Sequence, residues 1–223
     1  MSGNYHYIVT GLPSLILDYE SKVFSYDKLC QTIKEQLPPD DLRWVDWLTF
    51  GMNPSCLNAR FYRAALRQKN PFISRYFAFD LKLRNILAAF SARQTGQDLA
   101  SVLLPSQDQD FDQALLHSKA ADFGLRSIWD PAGRLFSILE DPDLVQREEK
   151  IDQMRWDEVN NICLFHYFNI NTILCFLFKA SIVQRWVLLD KKLGQERFQA
   201  LVKDLTPYRP QPQQTTDIKT LST

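Results

Sequence analysis

Apolar residues recur along most of this chain at spacings of three and four, the period of a helix with one buried face. The strongest run is Ile173 to Leu189, where Leu, Phe, Val and Ile point in almost every direction on a helical wheel and no Pro or Gly intervenes before Gly194. Such a helix has to be surrounded by others. Lys179, Gln184 and Arg185 interrupt it, leaving its uninterrupted part shorter than the about 20 residues that cross a bilayer. It is expected as the central helix of a soluble helical domain, with no direct membrane insertion.

The same pattern predicts the flanking elements. Tyr5, Tyr7 and Val9 alternate with His6, Ile8 and Thr10 in a strand-like way. Ser25 can cap a helix from Tyr26 to about Gln36, which Pro38 and Pro39 end. Asp40 can cap a second with Leu42, Val45, Trp47 and Leu48, and Leu57 to Gln68 forms a third with Arg60, Arg63 and Arg67 along one side. Asn70 and Pro71 open a long helix to about Thr95, in which Phe79, Leu83, Ile86, Leu87 and Phe90 make one buried stripe. Gly96 stands where a left-handed residue ends a helix. A short helix from Asp98 to Leu104 stops at Pro105, and 106–125 is polar, then helical through Ala114, Leu115 and Ala121.

Beyond it, Gly124, Pro131 and Gly133 predict a loop-rich connection over 125–143 between an N-terminal unit, 1–124, and a C-terminal helical hairpin, 144–205. In the hairpin one helix runs from Val145 to about His166, with Ile151, Met154, Val159, Ile162 and Phe165 on one face. A short loop capped by Asn169 or Asn171 turns the chain back, so the two helices pack antiparallel. Lys179 then lies level with Asn160. It is expected to pair with Glu158 or Asp157, because a lone charge in so apolar a run is costly. Glu148, Glu149 and Asp152 beside Arg147, Lys150 and Arg155 read as a solvated, salt-bridged face. Trp156 and Trp186 fit core positions of the two arms. Gly194 is expected to end the central helix, a short amphipathic helix to follow to Leu205, and the Pro-, Gln- and Thr-rich tail 206–223 to be disordered.

Charge and composition narrow the function. Lys plus Arg equals Asp plus Glu, 26 each, which argues against a general nucleic-acid binder. The four cysteines make no CxxC pair and the N-terminus has no basic start, so free thiols in a reducing cytoplasm are expected. Asp108, Asp110 and Asp112 open like a calcium loop, but Gln113 and Lys119 stand where it needs Gly and Glu. Asp122-Phe123-Gly124 spells the kinase metal-binding tripeptide without its companion motifs. There is no phosphate-cradling Gly loop, and His6, His117 and His166 are dispersed. No catalytic residue, cofactor or metal is therefore assigned. An enzyme would have to build its site from Asp80, Arg84, Glu158, His166 or Lys179, gathered in one concave pocket.

One constellation carries more. Asp80, Lys82, Arg84 and Arg93 decorate the long helix, followed by Gly96-Gln97-Asp98 and a short helix to Pro105. Arg185, Lys191 and Lys192, then Gly194-Gln195-Glu196 and a short helix to Pro207, repeat that order, suggesting two related helical units. The stretch Phe79 to Pro105, with Asp80, Asn85, Arg93, Gly96 and Leu103-Leu104-Pro105, resembles the repeated helix of the stalk component of V-type and A-type ATPases known as C in prokaryotes and d in eukaryotes. Phe165 to Leu205 resembles the last repeat of that component, with Gln184 in place of the usual Glu. Through Asn4 to Leu15, Arg155 to Phe168 and Gln184 to Gly194 the chain is similar to an uncharacterised bacterial family encoded within V-type ATPase operons.

The resemblance implies an all-α fold, a multi-helix antiparallel bundle of two related units built like that V/A-type ATPase component. It implies a non-catalytic central-stalk part, cytoplasmic and peripheral to the inner membrane, seating the central-shaft subunits on the membrane rotor ring. The alternative is a helical scaffold or assembly factor for the same complex. Arg60, Arg63, Arg67, Arg84 and Arg93 are the candidate partner surface, and Lys179 with Glu158 the candidate buried ion pair.

Overall fold

A computed structural model of the chain describes residues 5–15 and 25–205, with side chains up to residue 189. The tail 206–223 and the side chains of the expected helix 195–205 lie outside these. Among the described residues the fold is all-α, with ten α-helices and no strand. They are α1 (Tyr5–Thr10), α2 (Tyr26–Gln36), α3 (Pro39–Met52), α4 (Ala59–Ala65), α5 (Pro71–Thr95), α6 (Leu99–Val102), α7 (Gln109–His117), α8 (Ala132–Leu139), α9 (Leu144–Cys163) and α10 (Ile170–Leu205).

Local chemistry sets the boundaries. The Ser25 hydroxyl accepts from the Lys28 amide at the start of α2. Asn58 and Asn70 accept from the amides of Phe61 and Ile73, both at 3.0 Å, to start α4 and α5. Asp98, Asp108 and Asp143 cap α6, α7 and α9 in the same way. Each satisfies amides that the first helical turn leaves without partners. Gly96 ends α5 at φ 72°, where a side chain would be strained. In the hairpin loop Asn169, not Asn171, caps α10, accepting from the Asn171 amide at 2.9 Å. Asn171 is instead buried and accepts from the Asn70 side chain at 2.9 Å, tying the starts of α5 and α10 together.

Two hydrophobic cores result. The first gathers α1 to α4, the start of α5, the second half of α9 and α10. The second gathers the remainder of α5 with α7, α8, Phe123, Leu125 and the first half of α9. Helices α5 and α9 run through both and pack on each other. Ile173, Leu174, Leu177, Phe178 and Val183 of α10 are buried against helices that include α9, α3, α2 and α5. By length and composition Ile170–Leu189 is apolar enough to cross a membrane, contrary to the expectation that its polar residues leave it too short. In the fold its buried apolar residues line the first core, and Leu188 and Leu189 are exposed.

Several elements differ from expectation. Tyr5–Thr10 is a helix and not a strand, its Tyr5 hydroxyl donating to Asp41; a strand would need a neighbour to pair with. Residues 125–143 are not loop-rich: they hold a 3-10 turn, Leu125–Ser127, and α8, whose Ala132, Leu135, Phe136, Ile138 and Leu139 are all in the second core. Pro131 precedes the first helical position, where proline costs nothing. Gly194 does not end α10, which continues to Leu205. The parallel between Gly96, a helix end, and Gly194, inside a helix, therefore fails. Cys163 and Cys175 are joined in a disulfide, where free thiols were expected, because the antiparallel hairpin brings them level across its loop. Cys30 and Cys56 are free.

Candidate functional site: a buried ion network and the surfaces around it

Where the two cores meet, α4, α5, α9 and α10 bring together two buried carboxylates and three guanidiniums. Asp80 of α5 is 2% exposed and Asp152 of α9 is 1% exposed. The Tyr62 hydroxyl donates to Asp80 Oδ2 at 2.7 Å and Arg84 Nε at 2.8 Å. Arg155 lies between the two acids, donating to Asp152 Oδ1 at 2.8 Å with its Nε 3.9 Å from Asp80 Oδ1. Asp152 Oδ2 also accepts from Arg185 and, at 2.8 Å, from the Trp186 indole. Arg185 reaches Glu148 at 3.9 Å on the surface side.

The electrostatics are those of a mutually satisfied cluster. Burial alone would lower Arg155, but Tyr76, Asp80 and Asp152 outweigh it and hold the guanidinium above its ordinary range. Burial, followed by the Asp80 charge, pushes the Tyr62 phenol up. Burial likewise pushes up Tyr76, with Asp80 adding to it. The Tyr62 phenol is a hydrogen-bond donor here, not an acid. Asp152 and Arg155, expected on a solvated face with Glu148 and Lys150, are instead its interior. The signal was present: 152, 155, 156 and 159 share a helix face, and two of those four are Trp156 and Val159, both buried.

The remaining predicted positions separate. Arg84 is bound to Asp80. Arg93 donates to the backbone carbonyls of Ala120, at 2.5 Å, and Ser118, and stands 3.4 Å from the Phe123 ring centre. Both have partners within the chain and are partly exposed. Arg60 and Arg63 of α4, and Arg67 just after it, are exposed. Lys179 does not pair with Glu158. It donates to Asn160 and lies 5.1 Å from the Trp156 ring. Two residues apart on a helix means about 200° apart, so with Asn160 facing Lys179, Glu158 faces away, towards Asn161 and Arg75. Burial pulls Lys179 down and pushes Glu158 up. Asp157 pairs with Arg134 at 2.6 Å.

Of the five residues that an enzyme site would have gathered, Asp80 and Arg84 are in the network and Glu158 is beside Arg75. His166 and Lys179 line a separate groove beside the hairpin loop. Among the described residues no cluster could hold a metal ion. Asp108 is a helix cap paired with Lys82 at 2.6 Å, and Asp112 accepts from the Ser106 amide. Asp122-Phe123-Gly124 is a left-handed turn, with φ 55° at Phe123 and 69° at Gly124.

What the geometry defines is a helical body whose interior charges cross-brace it, with open surfaces elsewhere. A family model described as a protein of unknown function (DUF2764) matches residues 51–207, and the chain belongs to that family. No curated protein and no solved structure matches the chain.

Two stability measurements probe this arrangement. Asp152→Ala strands Arg155 and the Trp186 indole, and is expected to lower unfolding free energy by about 3 to 5 kcal/mol. Arg185→Ala, which leaves Asp152 bonded to Arg155 and the Trp186 indole, should cost less, about 1 to 3 kcal/mol. Urea titrations followed by circular dichroism separate the two. Lys179→Met, freed of a half-buried charge, is expected to leave stability within about 1 kcal/mol of the natural chain or raise it; a larger loss would make Lys179 a necessary partner.

Proposed function

We propose that the chain is a non-catalytic central-stalk subunit of a V-type ATPase or ATP synthase, coupling the shaft of the catalytic head to the membrane rotor ring. The observation that carries this is a pair of exposed apolar surfaces on one stiff hairpin, one at its loop and one level with the start of α9. At the loop end Leu164, Phe165, Tyr167 and Phe168 are exposed, Phe165 by 81% and Tyr167 by 66%. At the other end Leu144, Val145, Leu188 and Leu189 are exposed, brought level by the Arg185 contacts to Glu148 and Asp152. The 20 residues of α9 separate the two by about 30 Å.

Exposed apolar clusters of this kind mark surfaces that other molecules cover. Two of them, on a body braced by ion pairs, suit an adaptor that holds different partners at its ends and transmits force between them. An arrangement of helices like that of the prokaryotic C or eukaryotic d component, and a cytoplasmic, membrane-peripheral location, belong to the same proposal. The resemblance of Phe79 to Pro105 and Phe165 to Leu205 supports both.

Affinity purification of the tagged chain from detergent-solubilised membranes of its native host is expected to recover head and ring subunits in comparable amounts. Phe165→Ser with Tyr167→Ser should reduce that recovery by about tenfold, since interface energy concentrates in buried aromatics, while leaving the melting temperature unchanged. Association only with partly assembled complexes would favour an assembly factor. Recovery of no ATPase subunit would remove the proposal.

A further inference from the structure

A second surface stands apart from the hairpin ends and is independent of the rotor assignment. On α3, Arg43, Asp46, Trp47 and Phe50 follow the spacing of one helix face. They oppose Arg60 and Phe61 of α4 across an open groove of about 620 Å³. Its floor is aromatic: Phe61 lies 5.7 Å from Trp47 and 5.6 Å from Phe50, ring centre to ring centre. Phe50 is nevertheless 53% exposed. The floor is fixed from beneath, because Gly51 lets Phe77 and Phe61 pack directly on the α3 backbone. A Cβ there would come within 2.8 Å of Phe61 Cζ and closer still to Phe77.

The groove's charges are unequal. Asp46 is already paired with Lys34 at 2.8 Å. Arg43 is exposed and stands 4.4 Å from the Trp44 ring centre. Among the described residues neither Arg43 nor Arg60 has a carboxylate partner, and the exposed Arg63 of α4 and Arg67 in the turn after it add positive charge nearby in the chain. We propose that this groove binds an acidic amphipathic helix of a protein partner, with apolar residues on Trp47, Phe50 and Phe61 and carboxylates against Arg43 and Arg60. Helix-in-groove docking takes this form: apolar anchors one turn apart fill the groove and flanking charges fix the orientation. A flat anionic membrane would meet the arginines without filling the space between α3 and α4.

The test uses the full chain and a dye-labelled helical peptide of about 16 residues with Leu along one face and Glu on both flanks, beside its Lys-flanked counterpart. Fluorescence anisotropy should give at least about tenfold tighter binding of the Glu peptide, weakening as salt rises. Phe50→Ser should weaken binding of either peptide. Arg43→Glu with Arg60→Glu should reverse the preference in favour of the Lys peptide. These positions are exposed, and an unchanged melting temperature shows that the fold is kept. Equal binding of the two peptides, or a preference that charge reversal leaves untouched, overturns the proposal. So does binding only to vesicles of mixed zwitterionic and anionic phospholipid, or self-association abolished by Phe50→Ser in light scattering.

Discussion

A carboxylate removed from water has to find its full complement of donors inside the protein. Asp80 and Asp152 impose that requirement at the place where the two cores touch. They are met from four helices: Tyr62 on α4, Arg84 on α5, Arg155 on α9, and Arg185 with Trp186 on α10. Apolar packing is tolerant of small slides and rotations, whereas a guanidinium seated between two acids is not. The relative placement of the four helices is thus set by polar geometry, and the apolar residues fill what that geometry leaves. The same bracing keeps the outer surfaces in fixed relation, which a force-transmitting part requires.

The residues on which the proposed likeness to the ATPase stalk component rests each have a mechanical role in this fold. Asp80 anchors the network. Asn85 donates to the Leu104 carbonyl at 2.7 Å and accepts from the Leu104 amide at 3.0 Å, so its side chain docks the Leu-Leu-Pro segment on α5 as a strand neighbour would. Arg93 ties the end of α5 to the carbonyls of Ser118 and Ala120 and covers Phe123, supporting a residue whose positive φ is costly away from glycine. Gly96 turns the chain so that α6 can reach that docking place. The pattern describes how one long helix fastens the segment that follows it.

Sequence periodicity was enough for α2, α5 and the α9–α10 hairpin, because each has a long apolar stripe and a recognisable cap. It placed Lys179 level with Asn160, where the structure has it. It misplaced α8, since Pro131 and Gly133 suggest a loop, whereas Ala132–Leu139 is a helix buried in the second core and packed on α9. It carried the C-terminal unit through Gly194 as a break, although an isolated glycine costs a helix only about 1 kcal/mol. The network escaped for a different reason. Asp152 and Arg155 are spaced as a surface pair is, and their burial depends on Asp80 and Arg185, far away in the chain. The groove between α3 and α4 was half legible, in the arginine row of α4; its aromatic floor needed the packing of two helices.

The central claim is that the ion network makes the two cores one mechanical body. Native-state hydrogen exchange tests it most directly, by comparing amides of α8, in the second core, with those of α10, in the first, in the natural chain and in an Asp80→Asn variant. In the natural chain both sets should open together, with the free energy of global unfolding. In the variant α8 should open at lower free energy than α10. If α8 and α10 already open separately in the natural chain, or remain coupled once Asp80 has lost its charge, the network is not what joins them.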